Sequence, residues 1–259
     1  MVRPDMPPLP HSGPALPDDK AALIAGLRAD LTNATAMRAA ARQSAADHAD
    51  LARLRVFQAG RLAQTYADLL ASPRYGPAAA FFLSDLYGAR DRAERDETVT
   101  SVVPILARML PAGAVHALAI AIRLDALSEH LDAAMVQALC KEGGLDGLDA
   151  ARYARAWQRC GRHGEREQQI GLICEVGEVL DRLTKMSAVG VALRLMRGPA
   201  QAAGFGGVQD FLERGFCAFS HMGGAAEFLA TIRAREAAVA ERLFAGQPVY
   251  GDAAGLQKP

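Results

Sequence analysis

Residues 118–135 read LAIAIRLDALSEHLDAAM, and three carboxylates, Asp125, Glu129 and Asp132, interrupt an otherwise apolar helical pattern. At 3.6 residues per turn they share one stripe with Leu118, Ile122 and Val136. Ile120, Leu124, Leu127 and Leu131 form a second stripe, which is expected to face a core. Two readings of the acidic stripe stay open. It is a wet edge where the helix leaves the core, or it lines an interior pocket opposite arginines or a metal. A buried carboxylate requires such a partner, because isolated burial of charge is very costly. His116 lies in the apolar part of the same segment and is expected to be buried there.

The segment AAEFLATIRAREAAVAERLF, 225–244, repeats the anomaly. Ala225, Leu229, Ile232, Val239 and Leu243 make an apolar face, and Glu236 falls within it. A buried Glu236 calls for a cation from another helix, and Arg55 or Arg166 would serve. Asp125, Glu129, Asp132, Glu236, Arg55, Arg166 and His116 therefore form one candidate polar cluster. Its chemistry would be cation binding, with His116 or His221 joining the carboxylates, or proton abstraction by a carboxylate whose pKa burial has raised. The alternative is a structural network in which acid–arginine pairs fix helix register.

Other charged runs read more simply. Glu167, Glu175, Glu178 and Asp181 lie opposite Ile173, Val176, Leu180 and Leu183, the pattern of a solvated face. Arg152, Arg155, Arg159 and Arg162 form a basic edge opposite Tyr153, Trp157 and Cys160. No histidine follows a glutamate at the Glu-x-x-His spacing of di-iron bundles. There is no GxSxG, Walker, HExxH or GxGxxG sequence. No cofactor is expected, and whether a metal binds is left open. Cys140, Cys160, Cys174 and Cys217 never adopt CxxC spacing and read as reduced thiols, mostly small core fillers.

The elements that must position these residues are helical. The 259-residue chain is 51 % hydrophobic, rich in Ala, Leu and Arg, and poor in β-branched residues. The pattern predicts an all-α, compact multi-helix bundle of about eight to ten helices. Residues 1–17 form a flexible Pro-rich tail, 18–245 a single helical domain or two packed halves, and 246–259 a second tail. A first helix is expected from Asp18 or Asp19 to about Leu31, and a second from Thr35 to Ala71. A short one covers AAAFFLSDLYG, and another, kinked at Pro104, precedes Pro111. Further helices are expected at 111–140, 149–160, 165–185 and on to Arg197. The last two are 211–222, stopped by Gly223–Gly224, and 225–244. RGPAQAAGFGG reads as the most irregular internal stretch.

With 29 basic and 29 acidic residues the net charge is zero, which argues against general nucleic-acid binding. No apolar run is long enough for membrane insertion, and the N-terminus lacks a signal peptide's apolar core. A cytoplasmic location is expected. The stretches FFLSDLYG (81–88), GEREQQIGLICEVGEVLDRL (164–183) and FLERGFCAFSHMGGAAEFLATIRARE (211–236) resemble an uncharacterised all-helical bacterial family with FFLxDLYG and MGGAxxFL stretches. The resemblance implies a bacterial helical protein and carries no activity. The expected function is a helical binding or interaction protein without catalytic activity, for a protein partner or a small ligand. Phe81, Phe82 and Tyr87, with the loop Gly198–Gly207, are the candidate contact surfaces. The alternative is a metal- or ligand-binding enzyme using Asp125, Glu129 and Glu236. The sequence leaves the oligomeric state open.

Overall fold

The computed structural model describes residues 20–44, 48–83, 111–202 and 206–249. Among these there are ten α-helices and no strand, packed as a compact helical bundle. They are α1 (Lys20–Ser44), α2 (His48–Thr65), α3 (Ala67–Ala71), α4 (Gly76–Phe81), α5 (Ala112–Lys141), α6 (Ala150–Cys160), α7 (His163–Thr184), α8 (Ser187–Ala202), α9 (Gly206–Met222) and α10 (Ala226–Phe244). Tyr87, the charged stretch after Gly88, the Pro104 helix, the first tail and residues 250–259 of the second lie outside the described residues, whereas Val249, expected in that tail, packs against a core.

α5 is the axis of the molecule. It starts after Pro111, whose fixed φ suits a helix entry. Its 30 residues alternate small and branched apolar side chains that let neighbours pack on several sides. Ile120, Leu124, Leu127 and Leu131 face the largest core, built with Ile173 and Val176 of α7, Phe219 of α9 and Phe228 of α10. Val115, Ala119, Ile122 and Ala126 meet Leu27, Leu31 and Ala34 of α1, with Met196 of α8, in a second core. Met135, Val136 and Leu139 join Leu54, Tyr153, Trp157 and Leu243 in a third. The seam between the first and third cores is where the acidic stripe arrives.

Several boundaries differ from those expected. α1 runs unbroken through Thr32 and Thr35 instead of stopping near Leu31. Both hydroxyls donate to carbonyls one turn back, Arg28 and Leu31, so they sit within the ladder and cap nothing. The long helix expected from Thr35 to Ala71 is instead divided among the end of α1, α2 and α3. α8 continues through Pro199 to Ala202. The carbonyl that a proline leaves without its usual donor belongs to Leu195, which is 74 % exposed, so water can satisfy it. Gly198 and Gly207 are therefore helical residues, not loop.

Elsewhere local chemistry sets the ends as expected. The Asp149 carboxylate accepts from the Arg152 amide at 2.7 Å and caps α6. Gly161 (φ 68°) and Arg162 (φ 60°) are both left-handed, so α6 reverses into α7 within two residues. Gly223 (φ 68°) and Gly224 (φ 136°) end α9. Asp181 is not a plain solvated acid: its carboxylate accepts from the Ala225 amide at 3.0 Å, tying the end of α7 to the start of α10.

A buried arginine-lined cavity as the candidate functional site

Glu236 has the partner its position demands, but it is neither of the arginines expected. Arg61 of α2 donates from Nη1 and Nη2 to the two Glu236 oxygens at 2.6 and 3.0 Å. The Tyr66 hydroxyl donates to Oε1 at 2.7 Å. Burial works against both charges. The pair overcomes it, so the Glu236 carboxyl is held below the usual range and the Arg61 guanidinium above its own. A signal for Arg61 was present in the chain: Leu54, Gln58 and Arg61 follow at steps of four and three, continuing the apolar stripe of α2.

Asp132 is buried beside this pair. It accepts from Arg55 Nε at 3.3 Å and from Gln58 Nε2 at 3.2 Å. Arg55 also stands 3.8 Å from Glu129, whose side chain is largely shielded. The acidic stripe of α5 is thus an interior feature at its C-terminal end, and the wet-edge reading does not hold for Asp132 or Glu129. Asp125 is only half-buried and does not line the site. His116 is likewise half-buried, not enclosed, and lies 3.9 Å from Glu175, away from the cluster. His221 points its Nε2 at the Pro73 carbonyl, 2.9 Å away.

Arg166 of α7 completes the group. Its guanidinium lies over the Trp157 ring, 4.0 Å from the centroid. Nη1 donates to Gln169 Oε1 at 3.1 Å, and Gln169 in turn donates to Ser128 Oγ at 2.8 Å. The tight α6–α7 reversal is what sets Trp157 and Arg166 face to face. Burial lowers the Arg166 pKa from its ordinary value, yet a guanidinium stays protonated in any physiological medium. Among the described residues no carboxylate approaches Arg166 within salt-bridge distance.

These side chains line a partly open cavity of about 50 Å³ at the junction of α2, α5, α6, α7 and α10. Its wall carries three guanidinium groups, from Arg55, Arg61 and Arg166, against two carboxylates, from Asp132 and Glu236. Of the seven residues the sequence singled out as a polar cluster, the structure brings Asp132, Glu236, Arg55 and Arg166 to this wall and sets Glu129 just behind it. The sequence missed Arg61, Gln58, Gln169 and the exposure of Trp157 to a polar space.

The signature of a domain of unknown function, DUF8198, matches residues 37–249. The chain belongs to the DUF8198 family. No characterised protein and no solved structure matches it. All three quoted stretches of the resemblance fall inside the matched region, as do all the cavity-lining residues of this DUF8198 chain.

The remaining candidates fall elsewhere. Phe81 and Phe82 are core residues, not contact surface: Phe81 packs on Phe211, and Phe82 on Phe219 and Phe228. Tyr87 is outside the described residues. Cys174 is buried and Cys160 packs partly buried against the third core, whereas Cys140 and Cys217 are exposed, so only two of the four cysteines are core fillers. Arg155 and Arg159 of the basic edge both pair with Glu142 at the surface. Among the described residues no group of three or more His, Cys, Asp or Glu could hold a metal ion, and no helix is long and apolar enough to cross a membrane.

Proposed function

We propose that this DUF8198 protein is a non-enzymatic binding protein that holds a small molecule in the cavity between α2, α5, α6, α7 and α10. One observation carries the reading: a mixed-charge, arginine-rich space lies within the bundle, where a buried charge is costly unless paired, and Arg166 there has no carboxylate of the described residues in contact. The volume of about 50 Å³ fits a molecule of a few heavy atoms and is far below the roughly 300–1,000 Å³ of pockets for drug-sized ligands.

Two features favour binding over catalysis. Both Glu236 oxygens are taken up by Arg61, and Oε1 also by Tyr66. A carboxylate so engaged and so acidic is a poor general base. The acids named for a metal site are spread apart, with Asp125 off the cavity wall. Phe81 and Phe82, two of the residues named for a protein partner, are buried, which supports the small-ligand branch. Equal numbers of acidic and basic residues favour no general role with nucleic acid. Exposed free thiols at Cys140 and Cys217 suit a reducing bacterial cytoplasm. No cofactor enters this reading.

The test is a thermal-shift screen of small metabolites against the wild-type chain and Ala240→Leu, which fills the cavity from α10 with a good helix former. At least one compound is expected to raise the wild-type midpoint and to leave the filled variant unmoved. No shift with any compound, or equal shifts in both proteins, overturns the reading.

A further inference from the structure

Four buried side-chain nitrogens among the described residues have no hydrogen-bond partner: Arg61 Nε, Trp157 Nε1, Arg166 Nη2 and Arg182 Nε. The first three belong to residues that line the polar cavity. All three are N–H donors. No fully buried side-chain oxygen among the described residues is without a partner. An unmet buried donor costs a large part of its desolvation, and more when the group is charged. Among its fully buried side-chain atoms, the wall therefore lacks acceptors and not donors.

The charges point the same way. Glu236 is matched by Arg61, and Asp132 by Arg55, which also faces Glu129. Counting Glu129, three acids stand near three guanidinium groups, but Arg166 is the cation that no carboxylate of the described residues approaches within 4 Å, with Asp132 and Glu236 acting on it only from farther away. It is only 6 % exposed, its hydrogen-bonded partner Gln169 is neutral, and Trp157 holds its plane fixed. A water molecule supplies acceptor lone pairs but no negative charge, and it brings two donors of its own. An oxyanion supplies several acceptors and a negative charge in direct contact together, and a guanidinium matches the planar fork of carboxylate or phosphate oxygens.

We propose that the cavity binds a small oxyanion, a carboxylate- or phosphate-type group on a molecule of few heavy atoms, held between Arg166, Trp157 Nε1 and Arg61 Nε. The inference rests on the reading of this cavity as a ligand site and adds the chemical class of its ligand. Arg166 supplies the charge, while the Trp157 and Arg61 donors set the orientation. The Arg61–Glu236 pair stays intact, because only the Nε of Arg61 is called upon.

The chain has one tryptophan, Trp157, so its emission reports on this wall directly. The wild-type protein is titrated with sodium phosphate, sodium sulfate and sodium acetate, each against sodium chloride at equal ionic strength. Acetamide serves as the neutral counterpart of acetate. A saturable emission change is expected with at least one oxyanion, and none with chloride or acetamide. Arg166→Met should abolish it. Arg166→Lys, which keeps the charge but loses the planar fork, should raise the midpoint at least tenfold, and Arg194→Met on the exposed face of α8 should change nothing. Arg166→Lys also carries the test if the methionine variant fails to fold, with circular dichroism as the check.

An emission change that persists in Arg166→Met, or no saturation by any oxyanion, overturns the proposal. Saturation by acetamide or by a neutral compound from the metabolite screen, without any by oxyanions, overturns the oxyanion and leaves the ligand site standing. If nothing saturates the signal, both fall.

Discussion

Glu236→Gln keeps the shape of the side chain and removes the charge that Arg61 depends on. Breaking a buried ion pair from one side leaves the other charge stranded, at a cost of about 3–5 kcal/mol. Urea denaturation near neutral pH should show a loss of that order. Arg61→Met combined with Glu236→Leu should recover much of it, because the stranded charge disappears too. The pH dependence follows from the direction of the shift. Glu236 is held below the usual glutamate range in the folded state, against burial, by Arg61 and then Tyr66. Its contribution is full above the unfolded-state pKa of about 4.3 and is lost as pH falls through the depressed folded value. The stability gap between wild type and Glu236→Gln should therefore narrow as the solution is acidified below that point. Asp68, brought down to about 2 chiefly by its hydrogen bond from Arg235, titrates in the same direction. That pair is exposed, so solvent screening leaves it a small part of the effect.

At this scale the sequence exposed the anomaly and not the solution. A glutamate in an apolar stripe announces that a cation must come from elsewhere. Which arginine arrives depends on how α2 and α10 cross, and helix periodicity within one segment is silent about that. Arg55, Arg61 and Arg166 look alike in the chain. Only the packing assigns Arg61 to Glu236, Arg55 to Asp132, and leaves Arg166 stacked on Trp157.

Between elements, the closeness of α7 and α10 turns on Gly177, where an added Cβ would run into the Leu229 side chain. Leu229 is itself buried, 5 % exposed, and has little room to turn away. Gly177→Ala should destabilise, since overpacking costs about 1–3 kcal/mol and exceeds the propensity gain. Gly171 sits in the same helix with nothing within 4 Å of its would-be Cβ. The same substitution there should stabilise by about 0.5–1 kcal/mol, through backbone entropy alone. Paired thermal melts of the two variants check the opposite signs, and a shared sign would show that this helix crossing is looser than the contact implies. Element types were legible because the 3.6-residue period persists through α5, α7 and α10. Boundaries were less so. The sequence predicts a break between Leu31 and Thr35, yet inside a helix whose other face is buried the Thr32 and Thr35 hydroxyls fold back on the preceding turn. Pro199 looks like a stop, yet it falls in the last turns of α8 beside a solvent-exposed carbonyl.

Across the whole molecule, α1 stands apart from the rest. Its apolar stripe Leu27, Leu31 and Ala34 builds a core of its own against α5 and Met196 of α8. It supplies no residue to the polar cavity, and residues 20–36 precede the stretch that matches the family signature. An all-α bundle was legible from composition and period, whereas the division of its interior into three cores around α5 was not, because it depends on which face of that helix each neighbour occupies. This division has a measurable consequence. Leu27 is fully buried, so Leu27→Asp forces a charge into the α1–α5 seam and should open α1 without unfolding the bundle. Hydrogen exchange should then lose protection across residues 20–44, while amides of α7 and α10 keep theirs and the Trp157 emission stays native. Loss of the Trp157 signal at the same denaturant concentration as α1 protection would mean instead that α1 and the cavity helices fold as one cooperative unit, and that the second core contributes to the site at a distance.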